Sequence, residues 1–347
     1  MLAATLLLIA MLCASVLPAM DVPYAEMSPG PTYNTLGQQN GKPVISIKGR
    51  KSYPVTGHLN MTTVQVTSAD YRPSLVSAVV GWLRHDVAVV PHGNLYPDNQ
   101  TEQEAERQNA EEFASSQDNA KAAALRELGY KVGSDVIVES VVAGSPSQGR
   151  LHAGDAIRAV DGTAVTDPNQ VAKLVTKHKP GEKVVFTVVP NGKSATASAE
   201  VTITTVKAPD ADRAMVGIQP GTKHTFPFTI DIGLQDVGGP SAGLMFSLGI
   251  VDKLEPADIT GGRFIAGTGT ITDTGTVGPI GGISMKTIAA REAGAQYFLT
   301  PAENCAEAAK NIPDGLRLVK VKNLDGAVKA LDAIRTGHTA TLQSCAK

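Results

Sequence analysis

Between residues 225 and 335 short strand-like runs alternate with helix-patterned segments, and this alternation most constrains the fold. Strands are expected at 225–232, 263–267, 297–299 and 316–321, and helices at 241–252, 284–293, 301–311 and 323–335. Thr300 as N-cap, Pro301 at the first helical position and Glu303 two residues on mark one helix start. Such an order predicts an α/β or α+β unit, assigned here to residues 208–347.

The preceding stretch has a different rhythm. Alternating strands at 136–142, 184–189 and 201–206 surround one helix at 165–178, and Asn191-Gly192 signals a hairpin. Residues 121–207 therefore read as a separate β-rich domain. Residues 21–120 read as a third region, of mixed α/β character. It has a Pro-rich linker at 22–33, strands at 44–48 and 61–67, and a short apolar helix at 74–83. Thr101 and Glu104 then form a capping box that opens a long polar helix.

The first 20 residues carry no charged side chain, and 2–17 are almost wholly apolar. A bilayer-crossing helix needs about 20 such residues. The segment 1–20 is expected to be a transmembrane anchor or a signal peptide, with a buried core helix as the remaining alternative. Pro18-Ala-Met is a poor cleavage site, which favours the anchor. Of three cysteines, Cys305 and Cys345 could pair if the body is exported, or remain two thiols. No CxxC, HExxH or Cys/His cluster suggests a metal. A net charge of −2 and 4% aromatic residues give no support for a nucleic-acid partner.

Two glycine-led helix starts carry the chemistry. Gly238-Gly-Pro-Ser-Ala-Gly243 precedes a strongly apolar helix and presents Ser241 where unpaired backbone N–H groups could stabilise an oxyanion. Gly278-Pro-Ile-Gly-Gly-Ile-Ser-Met-Lys-Thr287 places Lys286 in a first helical turn, where the helix dipole disfavours a cation. A desolvated lysine loses its proton more readily and can then act as a base toward serine. Each motif alone also fits an ordinary cap or surface charge; together they suggest a Ser-Lys dyad.

Two resemblances add to this reading. Gly144-Ser-Pro, Leu151-x-x-Gly-Asp-x-Ile and Val160-Asp-Gly make residues 121–207 similar to a PDZ domain. That implies capture of an extended peptide, with Val136, Ile137 and Val138 as the candidate binding strand. Gly-Pro-Ser-Ala-Gly, Thr268-Gly-Thr-Ile and Val277-Gly-Pro-Ile-Gly-Gly-Ile-x-x-Lys resemble the proteolytic domain of the Lon proteases. By position, the resemblance implies Ser241 as nucleophile, Lys286 as general base and Thr268 in support, with Gly239, Pro240 and Ala242 shaping the serine turn. Where many Lon proteins carry an Asp, this chain has Gly238; its nearest acid is Asp236.

The whole chain resembles the bacterial membrane-anchored PDZ-Lon proteins. The resemblance implies a single-pass protein of the bacterial cell membrane with its body outside the cytoplasm, or a secreted one if the first segment is cleaved. It further implies protein or peptide substrates and rings of identical subunits. No phosphate-binding loop is present, so hydrolysis is expected to need neither ATP nor any other cofactor. Two other readings stay open: a peptide-binding scaffold with an inactive Lon-like domain, and an esterase built on Gly239-x-Ser241-x-Gly243 with His338, the sole downstream histidine.

Overall fold

The computed structural model describes residues 20–96, 101–194, 196–209, 211–234 and 237–345. In chain order its main elements are β1 (Tyr24–Asn34), β2 (Ile45–Lys48), β3 (His58–Val66), α1 (Leu75–Leu83), β4 (Ala88–Pro91) and α2 (Glu102–Glu127). Next come β5 (Gly133–Val141), β6 (Ala156–Val160), α3 (Pro168–Val175), β7 (Lys183–Val189), β8 (Ala199–Thr204) and β9 (Ile218–Thr225). The chain ends with β10 (Thr229–Ile232), α4 (Gly243–Leu254), β11 (Phe264–Gly267), α5 (Ile283–Glu292), β12 (Tyr297–Pro301), α6 (Cys305–Ala308), β13 (Arg317–Val321) and α7 (Leu324–Thr336).

These elements form two compact units. One joins the described residues up to Tyr130 with those from Phe228 onward; the other is Lys131–Pro227. The three-part division after residue 20 is thereby corrected. Residues 21–120 are not a separate region, because β1, β3 and β4 complete the sheet begun by the C-terminal strands. The sheet order is β13-β12-β11-β3-β1-β4. Strands β13, β12, β11 and β3 run parallel, and β1 is antiparallel to both β3 and β4. The β-rich unit likewise begins at 131 rather than 121, since residues 121–127 finish α2.

The expected linker at 22–33 is in fact most of β1. Pro cannot donate to a ladder, so Pro29-Gly30-Pro31 would ordinarily argue against a strand. Here the pairing with β3 shifts register between Pro29 and Thr32, and the irregularity absorbs both prolines. Gly30 is required at that point, because a Cβ would lie 2.4 Å from Thr63 Oγ1.

A second correction concerns the expected helix 301–311. Thr300 and Pro301 belong to β12, the Thr300 hydroxyl donates to the Phe298 carbonyl, and only a short 3-10 turn and α6 follow. Cys305 of α6 is disulfide-bonded to Cys345, which ties down the segment after α7. The first 19 residues, with the expected N-terminal helix, lie outside the described residues, as does Asp236. Among the described residues no helix is long and apolar enough to cross a membrane.

Helix α4 is the centre of the larger unit. Leu244, Met245, Phe246, Leu248, Ile250 and Val251 are all buried, and of its residues only Lys253 is not buried. It packs against α2, α7 and β3, while α5 crosses β1 and β3. The inserted unit is a PDZ-like β-rich domain with sheet order β8-β7-β6-β5-β9 around a core that includes Val138, Ile157, Phe186 and Ile203.

Candidate active site

Ser241 lies in the turn that leads into α4, one residue before the N-cap Ala242. The turn is held from two sides. Helix α2 accepts the Gly239 N–H on the Asn109 carbonyl at 2.9 Å and donates the Ser116 hydroxyl to the Pro240 carbonyl at 2.9 Å. The segment after β11 donates the Gly269 N–H and the Thr268 hydroxyl to the Ser241 carbonyl, at 2.8 and 3.0 Å. Close approach explains the glycines: a Cβ on Gly238 would stand 2.8 Å from Asn109 Cβ, and one on Gly243 2.8 Å from Ile271 Cγ2. Gly239 adopts φ +79°, a left-handed conformation that other residues resist.

Lys286 reaches the same point from the first turn of α5. The N-cap of α5 is Gly282, at φ +69°, whose missing Cβ leaves room for Val64 of β3. The lysine side chain is 2% exposed. Its Nζ lies 2.7 Å from Ser241 Oγ and donates to Thr268 Oγ1 at 3.2 Å. Burial lowers its pKa from the ordinary 10.5 to about 7, with no contributing carboxylate among the described residues.

Fully buried Thr268 orders this cluster. Its only hydroxyl proton goes to the Ser241 carbonyl, so toward Lys286 it acts as an acceptor. A neutral lysine amine can place one N–H on Thr268 and still direct its lone pair at the serine hydroxyl. A cavity of about 250 Å³ opens over the pair, lined in part by Gly238, Ser241, Ala242 and Lys286. Its opposite wall holds Pro31, Tyr33, Thr63, Val64 and Gln65, none of which the sequence pointed to. The bulge at Pro29-Gly-Pro31 was the available signal, but its facing strand is more than 30 residues away in sequence.

The candidate peptide strand in the inserted unit needs correction. Val136 and Val138 point into the core and are buried. Strand β5, which carries Val136, Ile137 and Val138, is paired with β6 on one side and β9 on the other, so it has no edge to offer a peptide. The edge strand beside α3 is β9. A cavity of about 230 Å³ lies there, between Val171, Ala172 and Val175 of α3 and the segment Met215-Val-Gly-Ile218. Buried Ser147 donates its hydroxyl to the Val216 carbonyl at 2.7 Å, and Ser145 to that of Gly217 at 3.1 Å. No sequence pattern marks this segment, which follows the last expected strand of the domain.

Comparison with known proteins finds one domain family and a set of relatives. A PDZ domain family profile matches residues 108–201, a stretch that starts within α2 and stops short of β9. The chain is 29% identical over 185 residues to Lon protease of Buchnera aphidicola (subsp. Acyrthosiphon pisum), covering 52% of this chain and 23% of the relative. It is 31% identical over 143 residues to Lon protease of Chloroflexus aggregans, covering 40% and 17%. It is 39% identical over 88 residues to Lon protease 2 of Bacillus subtilis, covering 25% and 15%. The chain thus spans less than a quarter of the length of these relatives. Among solved structures, the PDZ domain of an SdrC-like protein from Listeria innocua is 26% identical, with TM-score 0.22. It covers 25% of this chain and 92% of that one.

Proposed function

We propose that this chain is an ATP-independent serine endopeptidase in which Lys286 activates Ser241. The observation that carries the proposal is the 2.7 Å contact between the serine hydroxyl and a lysine amine that burial has brought to a pKa of about 7. At that pKa a large fraction of the amine is neutral near pH 7 and can accept the serine proton. Ser241 Oγ then attacks the scissile carbonyl, and an acyl-enzyme forms as the protonated amine returns its proton to the leaving nitrogen. Water, deprotonated by the same lysine, releases the product.

The oxyanion is assigned to backbone amides of the Ser241–Gly243 turn. Those of Gly239 and Leu244 are already committed to the carbonyls of Asn109 and Gly269. The similarity to Lon proteases supports the same reaction class. The 347 residues contain no phosphate-binding loop, and the cleft suits flexible or unfolded segments. In the inserted unit, an extended segment would add to the β9 edge with its side chains toward α3. On the reading of residues 1–20 as a membrane segment, and by the resemblance to membrane-anchored relatives, the reaction would take place at the outer face of a bacterial membrane.

Two other readings fit less well. An esterase needs a histidine on the serine, whereas the polar neighbours of Ser241 are Lys286 and Thr268, and His338 instead contacts the Thr336 hydroxyl. An inactive scaffold leaves the cost of burying Lys286 without a use.

The test is labelling of the full chain with a serine-directed phosphonate, alongside hydrolysis of an unfolded protein. Labelling confined to Ser241, and lost in both Ser241→Ala and Lys286→Ala, is expected. Activity that survives Lys286→Ala and depends on His338 would sink the dyad.

A further inference from the structure

Helix α1 leaves an apolar face uncovered. Val76, Val79, Val80 and Leu83 form a stripe along it, with Trp82 53% and Leu83 84% exposed. Of the eleven large hydrophobic side chains exposed among the described residues, seven lie at Met20, Tyr71 and 76–83. Its inner face is small: only Ala78 and Gly81 are buried, and a Cβ on Gly81 would meet Val89 at 2.7 Å. The helix is therefore pressed onto the sheet by its small residues and turns its large ones outward. Scattered exposed apolar residues need no explanation, but a contiguous patch on one helix does.

The chain itself indicates what covers the patch. The Leu75 N–H at the head of α1 donates to the Met20 carbonyl at 2.8 Å, and Asp21 bridges to Ser74. Met20 is also where the uncharged apolar stretch 1–20 joins the folded body. The exposed face begins at the point where that stretch leaves. It also includes Trp82 and Tyr71, the side chains that favour the boundary between hydrocarbon and water. Trp82 is held in place by an edge contact with Tyr24, ring centres 5.5 Å apart.

We propose that α1 is an interfacial docking element, whose Val76–Leu83 face lies in the headgroup boundary of a phospholipid bilayer and fixes the orientation of the larger unit. The inference rests on reading residues 1–20 as a membrane segment and is independent of the Ser241 chemistry.

Trp82 is the only tryptophan in the chain, so it reports on this face alone. The experiment reconstitutes the full chain into phosphatidylethanolamine–phosphatidylglycerol vesicles, with and without brominated acyl chains. The expected result is blue-shifted Trp82 emission, quenched by the brominated lipid and shielded from aqueous iodide. Val80→Asp with Leu83→Asp should restore iodide access without releasing the protein from vesicles. Vesicle-bound protein whose Trp82 is as open to iodide as a free indole overturns the docking proposal but leaves the anchor. Failure to float with vesicles overturns both. Shielding that grows with protein density, without bromolipid quenching, identifies a second copy as the occupant and also overturns the proposal.

Discussion

Replacing Lys286 by Met should abolish hydrolysis while making the larger unit more stable, with a pH dependence that identifies the cause. The lysine is 2% exposed, and burial takes its pKa from 10.5 to about 7. At 1.36 kcal/mol per pKa unit, that displacement corresponds to about 5 kcal/mol of native-state destabilisation at pH values where both states carry the proton. Methionine has a similar length, is apolar, and removes this cost. It also forfeits the hydrogen bonds to Ser241 and Thr268, worth about 1 kcal/mol each. A net gain of roughly 3 kcal/mol is expected at pH 6.

The sign follows from proton binding. Between pH 7 and 10.5 the unfolded chain holds a proton that the folded lysine has lost, so the wild-type protein gains stability as pH rises. The advantage of Lys286→Met should therefore be complete below pH 7 and shrink steadily above it. The assay is denaturant unfolding followed by Trp82, which lies in the same unit as the dyad, at pH 6, 7.5 and 9. A variant that is less stable than wild type at pH 6, or whose difference does not change with pH, would falsify the claim that the lysine is desolvated. Without desolvation, the basis for a neutral amine disappears.

Three further outcomes follow from the same geometry. Thr268→Val leaves Lys286 without its acceptor and should lower kcat roughly 5- to 100-fold at little cost in KM, with Thr268→Ser restoring it and its pH–rate profile; a KM effect alone would mean that Thr268 only packs. Asp252 is fully buried, and desolvation raises its pKa from 3.8 to about 6. The wild-type protein should therefore lose stability as pH rises from about 4 to about 6, and Asp252→Asn, which can still accept the Ile259 N–H, should remove that loss and be more stable by about 1–3 kcal/mol at pH 7 in thermal unfolding. Gly217→Ala, at φ +77° with a Cβ 2.1 Å from Ser145 Cβ, should abolish peptide binding in the β9–α3 groove by calorimetry while Ser241 keeps its phosphonate reactivity; unchanged peptide affinity would place the binding surface elsewhere.

The parts of the site that were legible in sequence are local. Glycine-led turns into helices have a short-range signature, and both Ser241 and Lys286 lie within two such windows. The parts that were not legible are long-range. Whether Pro29-Gly-Pro31 is linker or strand depends on Thr63, for which Gly30 leaves room and which donates its hydroxyl to the Pro31 carbonyl. The β5 segment has the alternation of a peptide-binding strand, but alternation does not reveal which strand occupies an edge. Here the edge is taken by β9, some 80 residues later in the chain. Thr300 shows the same limit at shorter range: an N-cap signature is outweighed by β12 pairing with both β11 and β13.

Helix α2 is where these two scales meet. Its sequence promised a capped, polar helix without chemistry, and the capping box at Thr101 and Glu104 is indeed formed. Yet its inner face holds the turn that carries Ser241. Asn109 and Ser116 hold the Gly239-Pro240 turn, Ser247 of α4 donates to the Ala120 carbonyl at 3.2 Å, and Phe113 meets Phe246 edge to face. The chain leaves this unit just past α2, at Tyr130, and returns at Phe228, and those two rings pack edge to face with centres 5.4 Å apart. The inserted domain can therefore be accommodated without pulling the unit apart, because its two ends enter and leave at one point. That ring contact lies just past the end of α2, and the serine turn is held by a helix that the sequence alone assigns outside the unit carrying Ser241 and Lys286.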